Sequence, residues 1–137
     1  MKRIVTVQDI SCFGKCSLTV ALPIISAMGI ETAVIPTAVL STHTGGFKGY
    51  TFRDLTGDIE GIAQHWKSIG LKFNAIYTGY LGSKEQAEIV SKLFDDFSDD
   101  DTFIIVDPAM GDSGRLYAGF TDEIVTEMKK LCSKADF

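Results

Sequence analysis

Four short runs in this 137-residue chain are apolar almost without interruption: "RIVTVQ" from residue 3, "ETAVIPTAVL" from 31, "FNAIYTG" from 73 and "TFIIVD" from 102. Their β-branched and aromatic content marks them as strands, and the lack of strict alternation implies cover on both faces. Helical patterns fill the intervals. Leu55, Ile59, Ile62, Trp66 and Ile69 recur at spacings of four and three and close at Gly70, a usual helix stop. Ser83 and Gln86 have capping-box spacing, each side chain serving an orphan backbone donor, ahead of Val90, Leu93, Phe94 and Phe97. Ile124, Val125, Met128 and Leu131 mark a further helix. Residues 17–28 are apolar nearly all round, which predicts a buried helix kinked at Pro23. Strand alternating with helix predicts an α/β fold: a doubly wound, mostly parallel sheet with helices on both faces.

Charge and cysteine usage narrow the function classes. A net charge of -5 gives no electrostatic reason to bind nucleic acid or an anionic membrane. The only charge run, Asp95-Asp96 and Asp99 to Asp101, reads as a solvated helix end and turn. The longest apolar stretch, Thr19 to Ile30, is too short to span a bilayer and contains a proline. Cys12, Cys16 and Cys132 leave an odd thiol and show no metal-ligand spacing, so reduced thiols in a cytoplasmic protein are expected.

In open α/β sheets ligands bind beyond the carboxyl ends of the strands. That rule gathers Asp9, the loop Ser41 to Tyr50, Tyr80 and Asp107 on one rim. The stretch "QDISCFGKCS" joins a strand end to a helix start, where backbone amides could receive an anion. It is no phosphate loop: Cys16 stands where Ser or Thr must hold magnesium, and Asp9 replaces the first glycine. Asp9 could accept a hydrogen bond from a ligand ring nitrogen or hydroxyl, or serve as a cap. The hydroxyl- and glycine-rich "STHTGGFKGY" could wrap a small polar ligand, or be a plain loop. His43 and His65 read as structural. In "VDPAMGDSG", Asp107 and Asp112 could hold a magnesium ion through water, with Gly111 and Gly114 permitting tight backbone paths. A receiver-type phosphoacceptor would need a lysine ending a later strand, and none is visible.

Four segments together, "VQDISCFGKCSLTVALPI", "STHTGG", "YTGYLGSKEQ" and "VDPAMGDSGRLY", closely resemble the pyridoxal kinase branch of the ribokinase-like superfamily. Their order and spacing cover essentially the whole chain. The resemblance implies transfer of the γ-phosphoryl group of ATP to the 5′-hydroxymethyl of pyridoxal, pyridoxine or pyridoxamine. It implies that Asp9, Thr44 and Tyr80 bind the vitamer and that Asp107, Asp112 and Tyr117 lie near the phosphates. It also implies magnesium at Asp107 and Asp112, a monovalent cation as a further candidate, and a homodimer for the complete enzyme.

Departures from the family pattern sharpen the expectations. Many such kinases carry serine at Asp9's position, asparagine at Thr42's and tyrosine at Gly46's. A carboxylate for a hydroxyl favours a protonated pyridine nitrogen or a vitamer amine, and the sequence leaves that choice open. The family's catalytic base lies in a Gly-x-Gly-Asp segment that does not occur here. General-base catalysis is often worth about two to four orders of magnitude. The expectation is therefore a single incomplete domain over 1–137, the N-terminal vitamer-binding half, with no catalytic base and little turnover. Two other readings stay open: a hydroxymethylpyrimidine kinase of thiamin synthesis, and a non-catalytic truncated paralogue acting as a binding or dimerisation module. A sugar kinase fits less well, because the double-glycine sugar-binding pattern is missing near the N-terminus.

Overall fold

The computed structural model describes every residue from Met1 to Phe137. Its sheet comprises β1 (Arg3–Ser11), β2 (Glu31–Leu40), β3 (Phe52–Asp54), β4 (Ala75–Thr78) and β5 (Phe103–Val106), in the order β3-β2-β1-β4-β5. All neighbours run parallel except β3, which lies antiparallel along the outer edge of β2. The helices are α1 (Leu18–Ala27), α2 (Thr56–Ser68), α3 (Lys84–Phe97) and α4 (Asp122–Ser133). A two-stranded hairpin, β6 (Gly111–Asp112) and β7 (Arg115–Leu116), follows β5. No helix is long and apolar enough to cross a membrane.

The expected doubly wound sheet is present, and its winding explains the packing. The chain leaves β1 towards β2, then returns across the sheet to β4 and β5. Right-handed crossovers in opposite directions put α1 on one face and α2 and α3 on the other. On that second face Val5, Val7, Ile35, Ile76, Ile104 and Val106 meet Ile59, Val90, Phe94, Met128 and Leu131 in one continuous core. Each such side chain contributes roughly 1.5–3 kcal/mol when fully buried.

The other face departs from expectation. Helix α1 was expected to be buried, yet only Leu18 is; Ile24 is 56% and Met28 71% exposed. The helix rests mainly on β1 and β2, and its outer apolar surface, with Ile24 and Met28, is exposed. Composition reports what a helix is able to bury, not what covers it.

Two local details matter at the rim. The β1–β2 register slips so that Gln8 pairs with Pro36 but Ile10 with Val39, leaving Thr37 and Ala38 to share Asp9. This β-bulge frees a carbonyl at Thr37. It accepts from the Leu55 backbone N–H at 3.0 Å and from Gln86 Nε2 at 2.9 Å. The capping box is consequently only half formed. Ser83 Oγ accepts from the Gln86 N–H at 3.1 Å, but Gln86 Oε1 accepts from the Gly82 N–H at 2.8 Å, not from Ser83.

At the opposite edge β5 is partly met by residues 136 and 137. The Asp136 and Phe137 N–H groups donate to the Ile104 carbonyl, and the Val106 N–H donates to the Phe137 carbonyl. The acidic run is solvated, as expected, and is also paired: Asp95 meets Lys134 at 2.8 Å, Asp99 meets Lys72 at 3.5 Å, and Asp96 meets Lys67.

Candidate functional site

At the carboxyl ends of the strands lies an open cavity of about 1100 Å³. Strand β1 contributes Gln8, Asp9 and Ser11 to its floor. The loop after β2 supplies His43, Thr44, Phe47 and Tyr50; the β4 end supplies Gly79 and Tyr80; and Asp107 follows β5. The hairpin brings Asp112 and Tyr117 over the opening, and the apolar flank of α1 closes one side. All six residues singled out from the sequence, Asp9, Thr44, Tyr80, Asp107, Asp112 and Tyr117, thus line one space.

Two aromatic clusters flank the floor. On one side Phe47 meets His43 edge-on at 5.0 Å and Phe13 at 6.0 Å. His43 packs so tightly over Gly14 that a β-carbon there would fall 2.2 Å from its ring, and Gly14 has a φ of +94°. The histidine is structural, as expected. On the other side Phe120 stacks on Tyr80 at 5.5 Å and meets Tyr117 at 5.8 Å. Aromatic surfaces of this kind are ones on which a flat ring can stack. Burial, and then the nearby Asp9 charge, hold the Tyr80 phenol above its ordinary value of 10.0, so it stays a neutral donor.

The hairpin owes its shape to glycine. Ser113 and Gly114 both have positive φ, 49° and 75°, as a two-residue turn of the primed kind requires. A β-carbon on Gly111 would lie 2.4 Å from the Arg115 carbonyl oxygen.

Sequence reasoning missed Gln8 and Phe120. Gln8 is only 2% exposed and lies flat over Gly79, where a β-carbon would approach it within 2.9 Å. Its Nε2 and Asp9 Oδ1 are both buried without a hydrogen-bond partner. The one signal was adjacency to Asp9 in "VQD"; strand alternation argued against it by sending the two side chains to opposite faces. In the loop after β1 the amides of Cys12, Phe13 and Cys16 are bonded to Leu40 O, Ser41 O and Thr19 Oγ1, so those three are not free for an anion. Asp9 is not a cap either, since it lies within β1.

No three His, Cys, Asp or Glu side chains gather closely enough to form a protein-only metal cage. Asp107 and Asp112 are both exposed at the cavity edge. Magnesium is commonly held by one or two carboxylates together with substrate phosphates and water, so this donor set fits such an ion.

A mostly parallel sheet wound in both directions, with its cavity beyond the strand ends, defines the ribokinase-like α/β class. No protein-family model matches the chain. A protein of Bacteroides thetaiotaomicron, named as a phosphomethylpyrimidine kinase and solved with pyridoxal, superposes with a TM-score of 0.94 at 49% identity, covering 98% of this chain and 47% of its own. Pyridoxal kinase from Lactobacillus plantarum superposes at 0.89 with 32% identity, over 96% of this chain and 46% of its own. The pyridoxine/pyridoxal/pyridoxamine kinase of Bordetella avium is 31% identical over 140 residues, 94% of this chain and 44% of the relative. The chain is similar to the pyridoxal kinases, as the four sequence segments indicated, and it spans about half the length of the curated relatives it matches.

Proposed function

We propose that this chain forms the vitamer-binding side of an ATP-dependent kinase acting on the 5′-hydroxymethyl group of pyridoxal, pyridoxine or pyridoxamine. The observation that carries the reading is the convergence of ring-sized aromatic walls and three carboxylates on one cavity. In this reading Asp9, Thr44 and Tyr80 hold the ring, Thr44 through its hydroxyl and Tyr80 through its neutral phenol. Asp107 and Asp112 face the phosphates of ATP through magnesium, and Tyr117 borders them. Phosphoryl transfer asks the protein for alignment and charge neutralisation more than for covalent work. Bound magnesium supplies that neutralisation between the carboxylates and the triphosphate. A monovalent cation and a homodimeric assembly complete the proposal.

Calorimetry on the purified chain tests it. Pyridoxal or pyridoxine should bind at one site, and a coupled ATP assay should show turnover far below that of a full-length relative. Absence of vitamer binding would end the reading. A second substrate class is favoured by one observation, the name of the Bacteroides relative. Titrating the aminopyrimidine alcohol beside pyridoxine ranks the two: tighter pyridoxine binding is expected.

A further inference from the structure

We infer that Asp9 makes this cavity a receptor for a cationic heteroaromatic ring, so that the vitamer is held with its ring nitrogen protonated. The inference rests on the kinase reading above and deepens it. The cavity is lined by three carboxylates, Asp9, Asp107 and Asp112, and by no lysine or arginine. Asp107 and Asp112 sit at its exposed edge, where a phosphate-borne magnesium ion can meet them. Asp9 has no such recourse. It is 5% exposed on the floor; Ser11 Oγ donates to its Oδ2 at 3.2 Å, and Oδ1 has no partner. A buried carboxylate with half its acceptor capacity unmet is costly unless a donor, best a cationic one, arrives with the ligand.

Sequence left two donors open, the ring nitrogen and a vitamer amine; the sheet geometry chooses. Asp9 belongs to β1 and Asp107 follows β5, with β4 between them. The two strand axes lie about 10 Å apart, from a spacing of about 4.8 Å per strand. The reacting hydroxymethyl must face the Asp107 side. The 4′ substituent, where an amine would sit, is on the adjacent ring carbon and faces the same way. The ring nitrogen and the 3-hydroxyl, whose ring positions are each two atoms from the carbon that bears the hydroxymethyl, are left towards Asp9, and of the two only the nitrogen can become cationic. Gln8, which precedes Asp9 in β1 and also lines the cavity, has an unpartnered Nε2 that offers a donor to an oxygen substituent of the same ring.

The remaining titratable groups of the cavity do not supply the missing cation. Tyr50, Tyr77, Tyr80 and Tyr117 are phenols, Cys16 is a thiol, and Asp107 and Asp112 are acids. His43 is turned edge-on against Phe47 and packed over Gly14. A ring nitrogen whose pKa rises on binding contributes affinity below its free pKa, and that affinity is lost as pH rises through the bound value.

Ultraviolet absorption of pyridoxine reports the ring's protonation and can be read on the full chain across a pH series. Bound pyridoxine should keep the N-protonated spectrum at proton concentrations at least tenfold lower than the free vitamer does. Asp9→Asn should abolish that shift. Asp9→Ser, which restores the hydroxyl of many relatives, should still bind but titrate as the free vitamer. Circular dichroism checks that both variants fold. A wild-type complex that titrates like free pyridoxine overturns the inference while leaving the kinase reading intact, and needs no variant. An undiminished shift in either variant overturns the role of Asp9. Failure of any vitamer to bind overturns both readings together.

Discussion

The two faces of the sheet are built to different standards. Beneath α2, α3 and α4, seventeen buried hydrophobic residues form one cluster, so that face alone is a complete core. On the α1 side the helix is half bare, and the adjoining cavity floor holds polar atoms without partners. Stability therefore resides on the first face and recognition on the second. Substitutions should separate the two properties. Phe94→Ala, at a side chain 1% exposed, should destabilise the chain by about 3–5 kcal/mol in urea unfolding. Ile24→Ala on α1 should change stability by less than about 0.5 kcal/mol, as surface substitutions do. Equal losses would break the comparison.

Gln86 is the hinge between the two regions. It is buried at 2% on α3, yet it serves the bulge carbonyl of Thr37 and the loop amide of Gly82, next to Tyr80. Gln86→Ala leaves both groups to find other partners and should destabilise the chain by about 1–3 kcal/mol. Because Thr37 Oγ1 reaches the Tyr80 carbonyl at 3.4 Å, the same variant should weaken vitamer binding. Loss of stability with unchanged affinity in calorimetry would confine Gln86 to the core.

The difference between the faces also decides what could be read from the sequence. Strands buried on both sides announce themselves through unbroken apolar runs, and β2 occupies residues 31–40 as expected. Pro36 did not forbid it: alternate N–H groups from Glu31 point at β1, so Pro36 turns its missing donor to the outer side, where β3 has not yet begun. Three-residue β3 escaped notice because all its side chains are exposed and leave no hydrophobic pattern. Of the six cavity-lining candidates, Asp9, Tyr80, Asp107 and Asp112 were legible because acids and hydroxyls at or just beyond strand ends stand out, whereas Thr44 and Tyr117 were singled out by the family resemblance. Gln8 was not, because a one-residue alternation rule cannot foresee a cavity that wraps around the end of a strand. The exposure of α1 was hidden for a related reason, since periodicity describes a surface and not its neighbour.

Gly14→Ala probes the rim alone. A β-carbon at φ +94° is strained by about 1 kcal/mol or somewhat more. It would also push His43 away from its place against Phe47. Vitamer affinity should fall about tenfold, equivalent to about 1.4 kcal/mol, with a smaller change in global stability. A stability loss as large as that of Phe94→Ala would show that the rim and the core are one unit.

The smallest effect is set by pH, at the junction of the two regions. Asp54 of β3 accepts at Oδ1 from the Thr56 hydroxyl at 2.6 Å, from the Thr56 N–H at 2.9 Å and from Gln86 Nε2 at 3.2 Å. The Thr56 hydroxyl is the main cause that holds its carboxyl below the ordinary 3.8, and burial opposes it only in part. A folded-state value below the unfolded one means the contribution is complete above 3.8 and lost as pH falls through the folded value. Asp54→Asn should therefore lower stability slightly at neutral pH, flatten the acid limb of the stability curve and converge with the wild type in acid. Asp99, lowered in the same direction chiefly by the Thr102 hydroxyl, keeps part of that limb in the variant. If the bonds to Thr56 and Gln86 hold β3 against α2 and α3, acid should also release the loop that carries Thr44. Vitamer affinity would then fall with pH in step with the wild-type limb, and an affinity that ignores Asp54 would separate the recognition face from the core completely.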